Sequence, residues 1–254
     1  MLEVRGLTKR YPGLVAVNDV SFTIPPGEVR GYLGPNGSGK STTVKMITGL
    51  LSPTIGDILF QGRNIKHDLI AYKRRLGYVP EEPFLYPYLT GPEYLELTGR
   101  LRGLPEALLK RKIGGFIELF GLGTSRYSPL SAYSKGMRQK ILISAALLHN
   151  PDLLVFDEPL SGLDVTAALV FRDLVKQLAE EGKTILFSSH VMEAVERICT
   201  HVTILHKGKV VAHDSVAALR ELMKLPSLED IFAQLVMQDD PGRTAADMVA
   251  VMKL

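Results

Sequence analysis

The sequence predicts an α/β fold with a mostly parallel sheet, helices on both faces and a helical subdomain inserted into it. Two patterns support this prediction. Over residues 153–205, short apolar segments alternate with longer segments of helical spacing, which is typical of parallel strands joined by helices. Before them, over residues 90–150, the apolar residues recur at helical spacing, and this stretch is the predicted insertion.

The N-terminal part is predicted to be mainly β. Apolar segments bounded by glycine and proline turns predict strands over residues 2–7, 19–24, 29–33, 57–60 and 76–80. The third of these segments runs directly into a glycine-rich turn that is followed by a helix.

Helices are predicted next over residues 92–103, 105–121 and 134–150. Strands 153–156, 184–188 and 201–205 then alternate with helices 166–182 and 191–199. A helical tail follows, with helices over 215–223 and 228–235, and Ser227 is the expected N-cap of the second. Residues 240–254 mix polar and apolar side chains around a Pro-Gly pair, and we expect little order there.

The composition excludes several classes of protein. Of the 254 residues, 46% are hydrophobic and 22% charged, so a disordered or low-complexity chain is excluded. The net charge of +3 is too small to indicate a nucleic acid partner. Cys199 is the single cysteine and is expected to be a buried thiol. We find neither the pattern of a signal peptide nor an apolar run long enough to span a membrane.

The glycine-rich turn from Gly34 to Ser41 fits G-x-x-x-x-G-K-[ST] at every fixed position. Its glycines allow backbone N–H groups to surround phosphate oxygens, and the helix that follows points its positive end at them. Lys40 adds a charge at the β- and γ-phosphates, and the Ser41 hydroxyl is a hard oxygen ligand for Mg²⁺. We therefore predict a nucleotide-phosphate site rather than a chance glycine turn, formed by Gly34, Asn36, Gly37, Ser38, Gly39, Lys40, Ser41 and Thr42.

Two carboxylates, Asp157 and Glu158, end the apolar strand 153–156. Ligands of open α/β sheets bind at the carboxyl ends of strands. We predict that Asp157 holds Mg²⁺ through water and that Glu158 orients and deprotonates the attacking water. Such a pair alone would be better interpreted as a solvated strand end, and the phosphate loop favours the functional interpretation.

The helix over residues 134–150 begins with a second motif, formed by Ser134, Lys135, Gly136 and Met137. This segment resembles the signature of the ATP-binding subunits of ABC transporters, which is usually Leu-Ser-Gly-Gly-Gln. The chain keeps the serine and the second glycine, and has tyrosine, lysine and methionine at the other positions. That form is similar to the variant of ABC-2-type exporters of drugs and antibiotics. An N-cap serine followed by free N–H groups can bind an anion.

The resemblance implies roles that the patterns alone do not assign. Tyr11 would stack on adenine, residues 161–164, with Asp164, would lie at a dimer interface, and His190 would contact the γ-phosphate. The family usually has glutamine after the GYVP strand as a metal and water contact, and this chain has Glu81 there. These residues also have simpler interpretations. Tyr11 could be an ordinary tyrosine of a β-turn, the segment that begins at Ser134 could be a capped helix that binds no ligand, and Glu81 could face solvent.

The resemblance also implies the architecture and the partners. It implies a P-loop NTPase of ABC type over residues 1–214, with an antiparallel β subdomain, a helical subdomain over about 82–150 and a C-terminal tail over 215–254. Two copies, or this chain and a homologous ATPase subunit, would hold each ATP between one phosphate loop and the other signature. The ATPase would use Mg²⁺ and drive separate integral membrane permease subunits, with export favoured, at the cytoplasmic face of the membrane.

Other functions remain as alternatives. A soluble ABC ATPase of DNA repair, chromosome maintenance or translation would be expected to have a tandem ATPase domain, a long coiled coil or zinc-binding cysteines. A GTPase would carry Asn-Lys-x-Asp, which is absent from the sequence. A scaffold without turnover is disfavoured by Glu158 and His190. The remaining histidines and the basic clusters 73–75 and 110–112 are interpreted as surface or packing residues.

Overall fold

Two sheets and a helical subdomain make up the computed structural model, which describes residues 1–82, 84–225, 227–236, 248–249 and 251–252. The strands are β1 (Leu2–Tyr11), β2 (Leu14–Ile24), β3 (Val29–Leu33), β4 (Ile55–Phe60), β5 (Arg63–Asn64), β6 (Leu76–Val79), β7 (Leu153–Asp157), β8 (Thr184–Ser188), β9 (His201–His206) and β10 (Lys209–Ser215). The helices are α1 (Lys40–Ile47), α2 (Leu69–Arg74), α3 (Gly91–Leu101), α4 (Glu106–Leu119), α5 (Lys135–Leu147), α6 (Val165–Glu180), α7 (Met192–Ile198), α8 (Val216–Met223) and α9 (Leu228–Val236), with 3-10 turns at Gly123–Ser125 and Leu130–Ala132.

The larger sheet has the strand order β10-β9-β3-β8-β7-β6, and all its pairs are parallel except β10 with β9. Every residue of β3, β7 and β8 is buried, because helices cover both faces of this sheet. The predicted α/β fold is therefore confirmed. The carboxyl ends of these three strands meet at one edge, where Asp157 of β7 pairs with Ser188 of β8.

The smaller sheet is antiparallel, with the order β2-β1-β4-β5. Along the first part of β1, buried and more exposed side chains alternate. Leu2 and Val4 point into a core that also contains residues of α1 and of one face of the larger sheet. This arrangement places Tyr11, at the end of β1, close to the start of β2.

The helices α3, α4 and α5 pack around a separate apolar core that includes Leu95, Leu109 and Ile141. Thr90 and Glu93 form a reciprocal capping box at the start of α3, and Pro92 follows within its first turn. The other end of this subdomain joins the larger sheet, because α5 leads into β7.

Some elements differ from the predicted ones. The β2 strand begins five residues earlier than predicted (19 − 14), because its first residue pairs with Tyr11 across a tight turn. The predictions missed β5, α2 and β10. Cys199 is buried as predicted, but it caps α7 rather than lying within it. The expectation of little order over residues 240–254 lies largely outside the described residues. Within the described part of the chain, no helix is long and apolar enough to cross a membrane.

Candidate active site

A cleft of about 490 Å³ lies at the edge where β3, β7 and β8 end. The residues that line this cleft come from segments that are far apart in the sequence. The predicted site residues that line it are Tyr11, Asn36, Gly37, Gly39, Lys40, Ser41, Thr42, Glu81, Asp157, Glu158 and His190.

The loop between β3 and α1 forms the floor of the cleft, and close approaches of other atoms require glycine at Gly34 and Gly39. A Cβ atom on Gly39 would lie 2.5 Å from the carbonyl oxygen of Ala16, and one on Gly34 would lie 2.4 Å from the Ser38 hydroxyl. Gly39 has φ 103° and precedes α1, which has no side-chain cap, so the first N–H groups of the helix are left for a ligand. Gly34 and Ser38 shape this loop and are not among the residues lining the cleft.

The Lys40 side chain is folded back over the loop. Its ammonium group donates hydrogen bonds to the carbonyl oxygens of Gly34 at 2.5 Å and Pro35 at 3.1 Å. Burial lowers the Lys40 pKa, and the nearby carboxylates of Glu158 and Asp157 act in the opposite direction. A phosphate chain can replace the two carbonyl partners with charged ones, which make stronger hydrogen bonds.

Asp157 is almost completely buried at the end of β7. Burial, followed by the charges of Glu81 and Glu158, raises its pKa from 3.8 to about 6, while the Ser188 hydroxyl and Lys40 oppose the rise. A cation near this carboxylate would relieve the repulsion.

The donor set fits a magnesium ion that also binds phosphate oxygens. Ser41 and Asp157 line the same cleft and provide the hard oxygen ligands that Mg²⁺ prefers. No group of three His, Cys, Asp or Glu side chains suited to hold a metal occurs among the described residues. Mg²⁺ that binds with a nucleotide usually takes one or two protein ligands and completes its shell with phosphate oxygens and water.

Glu158 lies at the rim of the cleft in a constrained conformation. Its φ is +49°, and its N–H donates to the Ser188 carbonyl oxygen at 2.9 Å. One carboxylate oxygen accepts a hydrogen bond from the Ser189 hydroxyl at 3.2 Å, and the other lies 2.8 Å from Nδ1 of His190. The His190 side chain is 74% exposed. This arrangement fixes a carboxylate beside an accessible imidazole, a geometry suited to proton abstraction from a bound water.

The signature segment lies outside this cleft. Ser134 caps α5 by accepting a hydrogen bond from the Met137 N–H at 3.2 Å. A Cβ atom on Gly136 would lie 2.4 Å from the carbonyl oxygen of Gly162, and Gly162 packs under the Lys135 side chain. The start of α5 is thus packed against the loop that follows Glu158, and none of the four signature residues lines the cleft of its own chain.

Asp164 likewise lies apart from the cleft. It caps α6 by accepting a hydrogen bond from the Ala167 N–H at 2.8 Å, and it lies 3.6 Å from the Lys140 ammonium group. Its structural role in this chain is therefore that of a helix cap.

Several cleft residues were not predicted. They are residues 14–16 at the start of β2, Ser188 at the end of β8, and Lys207 and Gly208 in the turn between β9 and β10. Gly208, which lies between two apolar segments, is a turn signal that would have located this hairpin.

A mostly parallel sheet whose glycine-rich loop and carboxylate-ended strand face one cleft defines the class of P-loop nucleoside triphosphatases. Residues 17–161 match the family described as ABC transporter. The ABC transporter ATP-binding protein NatA of Bacillus subtilis (strain 168) is 42% identical over 218 residues, which cover 85% of this chain and 89% of that protein.

Another relative is the Nod factor export ATP-binding protein I of Ralstonia nicotianae (strain ATCC BAA-1114 / GMI1000). It is 36% identical over 212 residues, which cover 84% of this chain and 66% of that protein. The solved structure of an ATP binding subunit of an ABC transporter has a TM-score of 0.87 and 35% identity, covering 92% of this chain and 99% of the other. The chain belongs to the ABC transporter family, as an ATP-binding and ATP-hydrolysing subunit.

Proposed function

We propose that the cleft holds ATP with a fixed division of roles, and that ATP hydrolysis there drives a transporter. Tyr11 stacks on the adenine, which is a contact that any base face can make. The glycine-rich loop and Lys40 bind the phosphates, and Ser41 and Asp157 hold Mg²⁺ together with Glu81. The observation that carries this proposal is the convergence of these distant segments on one cleft.

Glu158 is proposed to accept the proton of the attacking water. Its carboxylate is held by Ser189 and His190 at the cleft rim, so little reorganisation precedes proton transfer. His190 is exposed enough to turn toward a γ-phosphate and to donate a hydrogen bond to it. Bound Mg²⁺ would neutralise charge that develops on the phosphate oxygens.

The active form is proposed to be a dimer of two copies, or of this chain with a homologous ATPase subunit. The support is geometric: Ser134 and the free N–H groups of α5 can bind an anion, yet they do not line the cleft of their own chain. A second chain that is oppositely oriented would bring its signature to this phosphate site. Asp164 would then lie at the interface.

The dimer is tested by the concentration dependence of ATP hydrolysis. If two chains complete each site, the rate per chain rises with protein concentration until dimers dominate. A rate per chain that stays constant from well below to well above the dimerisation range would contradict the proposal.

The membrane partner is proposed to dock beside Glu81. The chain that follows Glu81 carries exposed rings, with Phe84 at 94% and Tyr88 at 91% exposure. Leu50, which is also exposed, shares a groove of about 520 Å³ with Glu81 and Phe84, and Ser41 and Asp157 of the nucleotide site line the same groove. A permease subunit bound there would contact the nucleotide site directly. Exposed apolar clusters of this kind are typical of protein interfaces.

We infer an exporter that works at the cytoplasmic face of the membrane. The form of the signature supports export, and so does the similarity to the Nod factor export ATP-binding protein. The docking surface is tested by co-purification of membrane proteins with this chain. We expect Tyr88→Ser to reduce co-purification, whereas Leu222→Ser, at another exposed apolar site on α8, retains it. Undiminished co-purification of Tyr88→Ser would contradict this docking surface.

A further inference from the structure

One wall of the nucleotide cleft has no role in the proposed reaction. It is the two-residue turn between β9 and β10, formed by Lys207 and Gly208, and both residues line the cleft. His206 and Lys209 pair across this turn, so the register of the hairpin is fixed.

The Lys207 backbone adopts a conformation that lysine rarely adopts. Its φ is +48° and that of Gly208 is +78°, the pattern of a type I′ turn, in which asparagine or aspartate followed by glycine is strongly preferred. A left-handed conformation costs a residue such as lysine roughly 1–2 kcal/mol. Strained backbone of this kind is concentrated at functional sites, and here it lies on the nucleotide cleft.

The turn is also held in place from both sides. The Gly208 N–H donates to the Ser38 carbonyl oxygen of the phosphate loop at 3.0 Å, and the Asn18 N–H donates to the Gly208 carbonyl oxygen at 2.8 Å. A Cβ atom on Gly208 would lie 3.0 Å from the Ala16 carbonyl oxygen. The backbone of the turn, which includes Lys207, therefore has a fixed position relative to the loop that would hold the phosphates.

The balance of acidic and basic residues around the cleft indicates what Lys207 contributes. Three acidic residues, Glu81, Asp157 and Glu158, and two lysines, Lys40 and Lys207, line the cleft. The expected ligand is a polyanion, so three acidic residues in the lining oppose its entry unless basic residues offset their charge. A second cation reduces the repulsion that the nucleotide meets on entry.

We propose that Lys207 is a binding residue for the phosphate chain of the nucleotide, acting from the hairpin turn that is hydrogen-bonded to the glycine-rich loop. The inference rests on the proposed nucleotide site. It predicts a contribution to the affinity for phosphorylated nucleotides that adenosine does not share.

The test uses Lys207→Asn, because asparagine removes the charge and suits a type I′ turn better than lysine does. The melting temperature should therefore not fall. At low salt we expect the dissociation constants of metal-free ATP and ADP to rise about fivefold, the upper range for one exposed ion pair. The dissociation constant of adenosine should stay unchanged, and the effect on ATP should shrink at high salt.

Lys209→Asn is the matched control, since Lys209 is exposed on the same hairpin and does not line the cleft. It should bind ATP as the parent does. Parental ATP affinity in Lys207→Asn, or an equal loss for adenosine, would overturn the inference.

Lys40→Ala separates this inference from the proposed site. If Lys40→Ala loses ATP affinity and Lys207→Asn does not, only the role of Lys207 is wrong. If Lys40→Ala retains parental affinity, the nucleotide site itself is wrong, and the inference falls with it.

Discussion

Replacing Ser134 by aspartate tests whether the signature of one chain completes the site of another. Gly136 is a poor position for this test, because any side chain there would collide with the Gly162 carbonyl oxygen, 2.4 Å from its Cβ position. Ser134 is exposed, and its side-chain hydroxyl accepts the N-cap hydrogen bond from the Met137 N–H at 3.2 Å. Aspartate and asparagine are N-caps as good as serine, so both variants should keep α5 intact.

The two variants differ by one negative charge at the point where a partner's γ-phosphate should lie. At a separation near 4 Å and an effective dielectric constant of about 20, one pair of like charges costs roughly 4 kcal/mol. This free energy corresponds to a loss of about three orders of magnitude in the population of the closed, ATP-bound dimer. Ser134→Asn carries no such charge and should retain most of the activity.

The assay combines ATP binding by the separate chain with steady-state hydrolysis. Ser134→Asp should bind ATP like the parent, because its own cleft is untouched, and it should hydrolyse ATP far more slowly than Ser134→Asn. An equimolar mixture of Ser134→Asp with Lys40→Ala contains heterodimers with one intact composite site, so about a quarter of the parental activity should return if the sites act independently. The reasoning is refuted if Ser134→Asp loses ATP binding in its own chain, or if the mixture recovers no activity.

Two further predictions concern charge. Glu81→Gln should shift the Mg²⁺ dependence of ATP hydrolysis to higher concentrations, since a carboxylate is the better hard ligand; superimposable titrations of parent and variant would show that Glu81 faces solvent. The His149 Nε2–H donates a hydrogen bond to the Leu76 carbonyl oxygen at 3.0 Å, and burial, with Arg102 and Lys112, lowers the His149 pKa from 6.5 to about 4. Between these pH values the unfolded chain binds a proton that the folded chain does not. Stability is therefore lost as pH falls from 6.5 to 4, by about 2 kcal/mol after allowance for partial exposure. Urea unfolding at both pH values should show this loss in the parent and not in His149→Gln, and equal losses would contradict it.

The phosphate loop could be located from the sequence because its requirements are local. Gly34, Gly39 and Lys40 stand at fixed spacing between a strand and a helix, and the structure shows backbone contacts that exclude a side chain at both glycines. The parallel sheet could also be predicted, because strands and helices alternate along the sequence. The rule that ligands bind at the carboxyl ends of strands then places Asp157 and Glu158 near this loop.

The contacts between distant segments could not be predicted. The 2.8 Å approach of Glu158 and His190 depends on the register of β7 with β8, in which Asp157 pairs with Ser188. The packing of Gly136 on Gly162 and the placement of Lys207 at the cleft depend likewise on how the helical subdomain and the last hairpin pack onto the core. No local pattern of residues specifies those distances.

ATP hydrolysis by Glu158→Gln tests the central claim most directly. The substitution keeps the shape of the side chain and its hydrogen bonds but removes the base, so ATP should still bind while turnover falls by about two to four orders of magnitude. The stalled protein should accumulate on a sizing column as a dimer that requires ATP. Glu221→Gln, on the surface of α8, should hydrolyse ATP like the parent. If Glu158→Gln turns over ATP at the parental rate, Glu158 is not the base and the proposed mechanism is wrong.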